Sequence, residues 1–177
     1  MTGAINCYKM ELQGNGFLLR GWQTGDEASL QKHANNPKVP LFLRDRFPRP
    51  YTMDDAKFWI NRAQNQPQLT NFAIIVNGEA CGGIGIELMS GESRITAEMG
   101  YWLGEEHWGK GLMTEAVKLV TAYAFEHFPL ERLEAGVYDK NTASMRVLEK
   151  AGYVKEAILH RSVIKNGEVM DKHLHKI

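Results

Sequence analysis

Only two cysteines, Cys7 and Cys81, occur in the 177 residues. Two are too few for a disulfide framework, and neither lies in a CxxC or Cys/His spacing of the kind that holds zinc. A reducing cytoplasm is the expected setting. Neither charge sign is in surplus: 21 Lys+Arg face 21 Asp+Glu, so no net positive field draws in a nucleic acid or an anionic membrane. Any polyanion has to be held by a local site. No stretch approaches the roughly 20 apolar residues of a membrane span. The first residues, Met1 to Cys7, lack the basic and apolar regions of a secretory signal, so a soluble chain that is not exported is expected. Repeats of a fixed period, low-complexity tracts and Ser, Pro or Gly linkers are absent too. What remains is 20.0 kDa of chain, 44% hydrophobic and 24% charged. That is one domain, residues 1–177, which folds by burying a core.

The prolines cluster at 37, 40, 48, 50 and 67, which puts the irregular section in the first third. Before it, Phe17 to Trp22 reads as a strand, and Thr24-Gly25-Asp26-Glu27 starts a helix over Ala28 to Ala34. After it, Thr52-Met53-Asp54-Asp55 has the form of a capping box. The helix it opens carries Phe58, Trp59, Ile60 and Ala63 and ends near Gln66-Pro67. Asn71 to Val76 and Ala80 to Met89 read as strands joined by a tight Asn77-Gly78 turn. Arg94 to Leu103 alternates as a strand, with Ile95, Ala97, Met99, Tyr101 and Leu103 on one face and Thr96, Glu98, Gly100 and Trp102 on the other. The period then changes. Leu112, Ala116, Leu119, Val120 and Tyr123 form a helical stripe running to about His127. Arg132 to Tyr138 is a strand, and Asn141 to Ala151 a helix with Val147, Leu148 and Ala151 inward, closed by Gly152. Glu156 to Ile164 and Val169 to Ile177 flank a second hairpin at Lys165-Asn166-Gly167. Helices between hairpins, with one strand-helix-strand unit, predict a mixed α/β sheet with flanking helices.

The most chemically informative segment is Gly104-Glu-Glu-His-Trp-Gly109-Lys110-Gly111-Leu-Met-Thr114, between a strand and a helix. Glycines let the backbone turn several N–H groups toward one point, and the helix N-terminus adds positive potential, so the loop suits a phosphate. Gly104 and Gly109-Lys110 match the first positions of the nucleotide loop GxxxxGK[ST], but Gly111 stands where a hydroxyl should bind Mg²⁺. No apolar strand ending in Asp follows to supply a second metal ligand, which argues against an NTPase. A plain glycine-rich turn is the alternative.

Around that loop the sequence resembles the GNAT superfamily of N-acetyltransferases, and within it is most similar to the RimJ/RimL type that acetylates ribosomal-protein N-termini. The resemblance is carried by Phe17-Leu-Leu-Arg20 with Asp26, by Ala97-Glu-Met-Gly-Tyr-Trp-Leu103, by Trp108-Gly-Lys-Gly-Leu-Met-Thr-Glu-Ala116, and by Asn141-Thr-Ala-Ser-Met-Arg-Val-Leu-Glu-Lys-Ala-Gly-Tyr153. One departure is Glu106, where the superfamily's loop pattern begins with Arg or Gln. The resemblance implies the GNAT fold, with acetyl-CoA bound where two neighbouring parallel strands splay apart, and transfer of an acetyl group from acetyl-CoA to a primary amine in a ternary complex. The pyrophosphate would lie on the N–H groups of Gly109, Lys110 and Gly111 within a cradle running from Trp108 to Leu112 and on to Thr114. The pantetheine arm would pair as an added strand with Trp102 and Leu103, where one N–H polarises the thioester carbonyl. Asn141 would bond the pantetheine amide. Ser144 would lie near the sulfur and donate to the leaving thiolate.

Each of these residues also has a plain structural reading. Lys110 reads as a solvated lysine, Asn141 as a helix N-cap and Ser144 as an ordinary helix-surface serine. Glu98, the candidate base, shares its strand face with Trp102, and a solvated carboxylate there is the alternative. A protein α-amine, with a pKa near 7.7 to 8.0, needs little base, whereas a lysine near 10.4 needs one. The resemblance makes a protein N-terminus the expected acceptor. A polyamine or aminoglycoside is the second choice, and an acyl-CoA-binding module without turnover is a further class. Cys81 reads as a small buried residue. His107 reads as a loop histidine or a phosphate neighbour, and His173 and His175 as non-metal residues. Met53, Phe58 and Trp59 are spaced either as helix core or as one wall of an acceptor pocket. No heptad or apolar strip points to an oligomer.

Overall fold

The computed structural model describes residues 10–177; Cys7 lies outside them. Eight strands form one sheet in the order β1-β2-β3-β4-β5-β6-β8-β7. They are β1 Glu11–Gly14, β2 Phe17–Gly21, β3 Asn71–Val76, β4 Glu79–Leu88, β5 Thr96–Leu103, β6 Arg132–Tyr138, β7 Val154–Lys165 and β8 Glu168–Lys176. Every neighbouring pair is antiparallel except β5 and β6. The helices are α1 Glu27–Ala34, α2 Met53–Gln64, α3 Leu112–His127 and α4 Thr142–Lys150.

The sheet has apolar residues on both faces, and two layers of helix cover them. On one side α3 and α4 pack with Leu19, Phe72, Ile74, Met99, Leu133 and their neighbours. On the other, α1 and α2 pack over Trp22, Ala73, Ile75 and Ala80. Alternation along β3 sends Phe72 and Ile74 to the first layer and Ala73 and Ile75 to the second.

Local chemistry explains the helix ends. Thr52 Oγ1 accepts the Asp55 N–H at 3.2 Å, and Asp55 Oδ2 accepts the Thr52 N–H at 2.8 Å, so the expected capping box opens α2. At the end of α4 the Tyr153 N–H reaches the Leu148 carbonyl and the Gly152 N–H reaches that of Glu149. Gly152 at φ +99° supplies the left-handed turn this closure needs. Arg20 and Asp26, both nearly buried, meet through two parallel bonds of 2.8 Å that tie the end of β2 to the start of α1.

Three expectations shift. The buried arc of α3 follows Met113, Ala116, Val117, Val120 and Ala124, while Leu112 and Leu119 sit half-buried at its edges. A helix lying on a sheet covers a broader arc than one stripe. In α2 the buried positions are Ala56 and Ile60; Phe58 is 66% exposed and Met53 faces solvent too. Ile95 is exposed and precedes β5, and its carbonyl takes the N–H groups of Glu131 and Arg132. Strand β1 was not anticipated, because Glu11-Leu-Gln-Gly14 has too few apolar residues for a clear alternation.

Candidate functional site

The site is built around the one parallel pair. Strands β5 and β6 are in register only at Thr96 with Arg132, Ala97 with Leu133 and Glu98 with Glu134. Beyond Glu98 they part, β5 staying with β4 as far as Leu103 and β6 with β8 as far as Tyr138. The result is a fork in the sheet. The Gly104 N–H donates to the Cys81 carbonyl of β4 at 2.8 Å. By alternation Trp102 and Gly100 also turn their backbone groups to β4, while Met99, Tyr101 and Leu103 turn theirs to the fork. The Leu103 carbonyl already accepts the Trp108 indole N–H at 2.7 Å, which pins the following loop to the strand end. Of the residues expected to pair with an added strand, Leu103 faces the opening and Trp102 faces β4. Tyr101 is the second residue whose backbone faces the opening. The Trp102 side chain packs on the α1 and α2 side, edge-on to Phe47 at 5.7 Å and over Gly83, where a Cβ would lie 2.8 Å from the indole nitrogen.

At the end of the fork the loop from Gly104 to Gly111 turns into α3. Gly109 and Gly111 have φ of +73° and +80°, and a Cβ built on either meets nothing within 4 Å. The glycines are thus required for backbone conformation, and the space they face is open. Gly111 is the N-cap of α3, and no side chain caps that helix. The N–H groups of Leu112, Met113 and Thr114 begin a sixteen-residue helix, so they and the helix dipole present donors to an anion. Lys110 is exposed and Thr114 half-buried. Glu106, at the departing position, is exposed and 3.7 Å from the His33 ring. Burial, with His33 and Lys110 nearby, lowers the His107 imidazole below its ordinary range. Loop, strand end and helix start therefore fit a pyrophosphate continued by an extended arm.

Across the fork stands α4. Asn141 Oδ1 accepts the Ser144 N–H at 3.3 Å, so Asn141 is indeed an N-cap. The cap uses its oxygen and leaves the side-chain nitrogen for other donation. The Ser144 hydroxyl lies 2.8 Å from the Tyr101 hydroxyl, a direct bridge between the lips of the fork.

Glu98 is on the opposite face of β5. It pairs with Arg44 at 2.5 Å and is flanked in register by Glu87 of β4 and Glu134 of β6. Arg44 and Arg46 each reach Glu87 at 3.1 Å, and Arg132 binds Glu134 at 2.9 Å. Beside Glu98, Gly100 is exposed, and a Cβ there meets nothing within 4 Å. The Arg44 loop is anchored further on by Asp45, which accepts from the nearly buried Lys165 of the β7–β8 hairpin at 2.6 Å. Sequence reasoning missed Arg44 because it falls in the proline-rich stretch, where no periodicity tells what a side chain faces. It placed Tyr101 on the correct strand face without a partner, since alternation along a strand carries no information about α4.

The remaining candidates fall outside the fork. Cys81 is fully buried and its thiol donates to the Ile74 carbonyl at 3.3 Å. Burial pushes that thiol up to about 11, which suits a core residue and not a nucleophile. His175 is fully buried in β8. Among the described residues no cluster of His, Cys, Asp and Glu is arranged to hold a metal ion, and no helix is long and apolar enough to cross a membrane.

Comparison with known proteins agrees with this geometry. The family model described as Acetyltransferase (GNAT) domain matches residues 17–154. The uncharacterized N-acetyltransferase p20 of Bacillus licheniformis is 30% identical over 179 residues, covering 98% of this chain and 92% of its own. The probable N-acetyltransferase YjcK of Bacillus subtilis is 57% identical over 72 residues, 41% of this chain, and the match spans only 40% of that relative's length. Among solved structures, Mycobacterium smegmatis RimJ in complex with CoA-disulfide superposes with a TM-score of 0.77 at 25% identity, over 91% of this chain and 81% of that one.

Proposed function

The chain belongs to the GNAT acetyltransferase family, and from that premise we propose that it moves an acetyl group from acetyl-CoA to a protein N-terminal α-amine within a ternary complex. The observation that carries this reading is the fork: register between β5 and β6 ends at Glu98, with Glu98 on one face of β5 and the Tyr101–Ser144 bridge on the other. Donor and acceptor can then approach one point from opposite faces of the sheet. Bound acetyl-CoA supplies an activated thioester carbonyl.

The chain's own residues do the rest. Leu112, Met113 and Thr114 at the start of α3, with Gly109, Lys110 and Gly111, offer N–H groups and charge to the pyrophosphate. Leu103 and Tyr101 offer backbone groups to the pantetheine arm, and Asn141 a side-chain donor. An N–H of β5 aimed at the carbonyl oxygen stabilises the charge that develops there. Glu98 orients the incoming amine, directly or through water, and accepts the proton it sheds. Ser144 donates to the departing sulfur.

Charge supports the α-amine over a polyamine. Glu87, Glu98 and Glu134, the carboxylates in register across the acceptor face, each have an arginine partner within about 3 Å. A polycation is best held by unpaired carboxylates, and here Arg44 and Arg46 together offset Glu87 and Glu98, while Arg132 is shared between Glu134 and Glu156. A single amine that displaces Arg44 from Glu98 fits this arrangement, and open space at Gly100 leaves room beside it. The resemblance of the sequence to the type that acetylates ribosomal-protein N-termini supports the same choice. Free CoA released from acetyl-CoA on addition of a short peptide tests the reading. Turnover is expected, and a protein that binds acetyl-CoA while protecting its thioester would be a binding module instead.

A further inference from the structure

We propose that Tyr101 is a positioning residue for the transfer step: its hydroxyl donates to Ser144 Oγ and so leaves the Ser144 proton to point into the fork at the departing sulfur. This rests on the reading of Ser144 as the group beside the sulfur. A serine hydroxyl has one proton and accepts through two lone pairs. In a helix that proton usually turns back to a carbonyl one turn earlier. Something must hold it in another direction if it is to serve the leaving group.

Tyr101 is placed to do so. Its oxygen is 2.8 Å from Ser144 Oγ and 3.3 Å from the Ser144 carbonyl. Two arrangements of the protons are consistent with those distances. In one, Tyr101 donates to the carbonyl and Ser144 donates to Tyr101, which turns the serine proton away from the fork. In the other, Tyr101 donates to Ser144 Oγ and the serine proton is free. Negative charge developing on sulfur favours the second, because it alone directs a donor at that charge. The phenol itself stays protonated: burial raises it above its ordinary range, an effect only partly offset by the Ser144 bond, with Tyr153 adding to the rise. Tyr101 is thus a permanent donor and not an acid in the reaction.

The balance of the step follows. The amine nitrogen forms its bond to the acetyl carbon, the C–S bond breaks, and its electron pair goes to sulfur. Ser144 donates a hydrogen bond to that sulfur and keeps its own proton. The proton shed by the amine nitrogen goes to the Glu98 carboxylate, so CoA departs as a thiolate held by the Ser144 hydrogen bond and takes its proton from water on release.

The test compares Tyr101→Phe, Ser144→Ala and the double variant, each with a thermal melt. Tyr101→Phe should lower kcat roughly tenfold with KM for acetyl-CoA nearly unchanged, the signature of a bond that matters mainly in the transition state. Ser144→Ala should lower kcat roughly 10²-fold, the loss expected for one hydrogen-bond donor to developing charge, and the double variant should be no worse than Ser144→Ala alone, since Tyr101 acts only through Ser144. A second readout does not depend on turnover. The thiol of bound CoA, followed by its ultraviolet thiolate absorbance, should titrate at lower pH in the wild type than in either single variant. Additive losses in the double variant would overturn the proposal, as would Tyr101→Phe with wild-type kcat and an unshifted bound thiol. If Ser144→Ala also leaves kcat and the bound thiol unchanged, the reading of Ser144 itself fails, and the proposal falls with it.

Discussion

Substitution of Gly111 separates conformational demand from crowding. The residue sits at φ +80° and ψ −6° as the N-cap of α3, and a Cβ there meets no atom within 4 Å. No clash contributes, so the penalty is backbone strain alone, about 1–2 kcal/mol for an L-residue in the left-handed region. The size should follow residue type: Gly111→Asn the mildest, because asparagine tolerates this region, Gly111→Ala intermediate, and the β-branched Gly111→Val the worst. The strain has two outlets. If the loop keeps its shape, stability falls by about 1–2 kcal/mol, roughly 2–8 °C in Tm for a chain of this size. If the loop relaxes, its N–H groups and those opening α3 turn away from the pyrophosphate, and Kd for CoA rises at least about tenfold, equivalent to ~1.4 kcal/mol. Calorimetric CoA titration beside a thermal melt reads both outlets. A folded Gly111→Val protein with unchanged melt and unchanged CoA affinity would refute the reasoning, because strain of this size must appear in one or the other.

Asn141→Ala should raise KM for acetyl-CoA with kcat largely kept, since a pantetheine bond is present in ground and transition states alike. Losing the cap to Ser144 should also cost about 1 kcal/mol in urea unfolding. Glu98→Gln should leave substantial activity toward an α-amine at pH 9, where most of the amine is neutral, and lose more at pH 6.5; a ratio of wild-type to mutant kcat/KM that stays flat between those pH values removes Glu98 as proton acceptor. His175 is fully buried with its imidazole lowered chiefly by that burial, against rises from the His173 backbone and from Glu149, and with the His173 and Lys155 charges lowering it further. A lowered folded value means its contribution is present above about pH 6.5 and lost as pH falls below it, so His175→Leu should shrink the drop in Tm between pH 7.5 and pH 5.5.

Much of this fold was legible because its elements carry strong local signals. Both Asn-Gly hairpins, the Thr52 capping box and the change from strand alternation to helix period after Gly111 all predict the observed elements within a residue or two. These signals come from chemistry between near neighbours in the chain. The fork is different. The resemblance implies a splayed parallel pair, but where β5 and β6 part, after Glu98, is a property of pairing between strands separated by a whole helix, and no residue of either strand announces it. The same limit hid the Arg44–Glu98 pair and the Tyr101–Ser144 bridge, which join segments 54 and 43 residues apart in sequence. Alternation gave Glu98 and Tyr101 their opposite faces, but only the sheet shows that those faces meet at one opening.

The most direct measurement of the central claim uses two short peptides of one sequence with acetyl-CoA. One has a free N-terminus and an acetylated lysine; the other has a blocked N-terminus and a free lysine. Thiol release and the mass of the products are followed together at pH 7.5. Transfer to an α-amine predicts CoA release and a single added acetyl group on the first peptide, with little on the second. Preference for the blocked peptide, or thiol release without acetylated product, would contradict it.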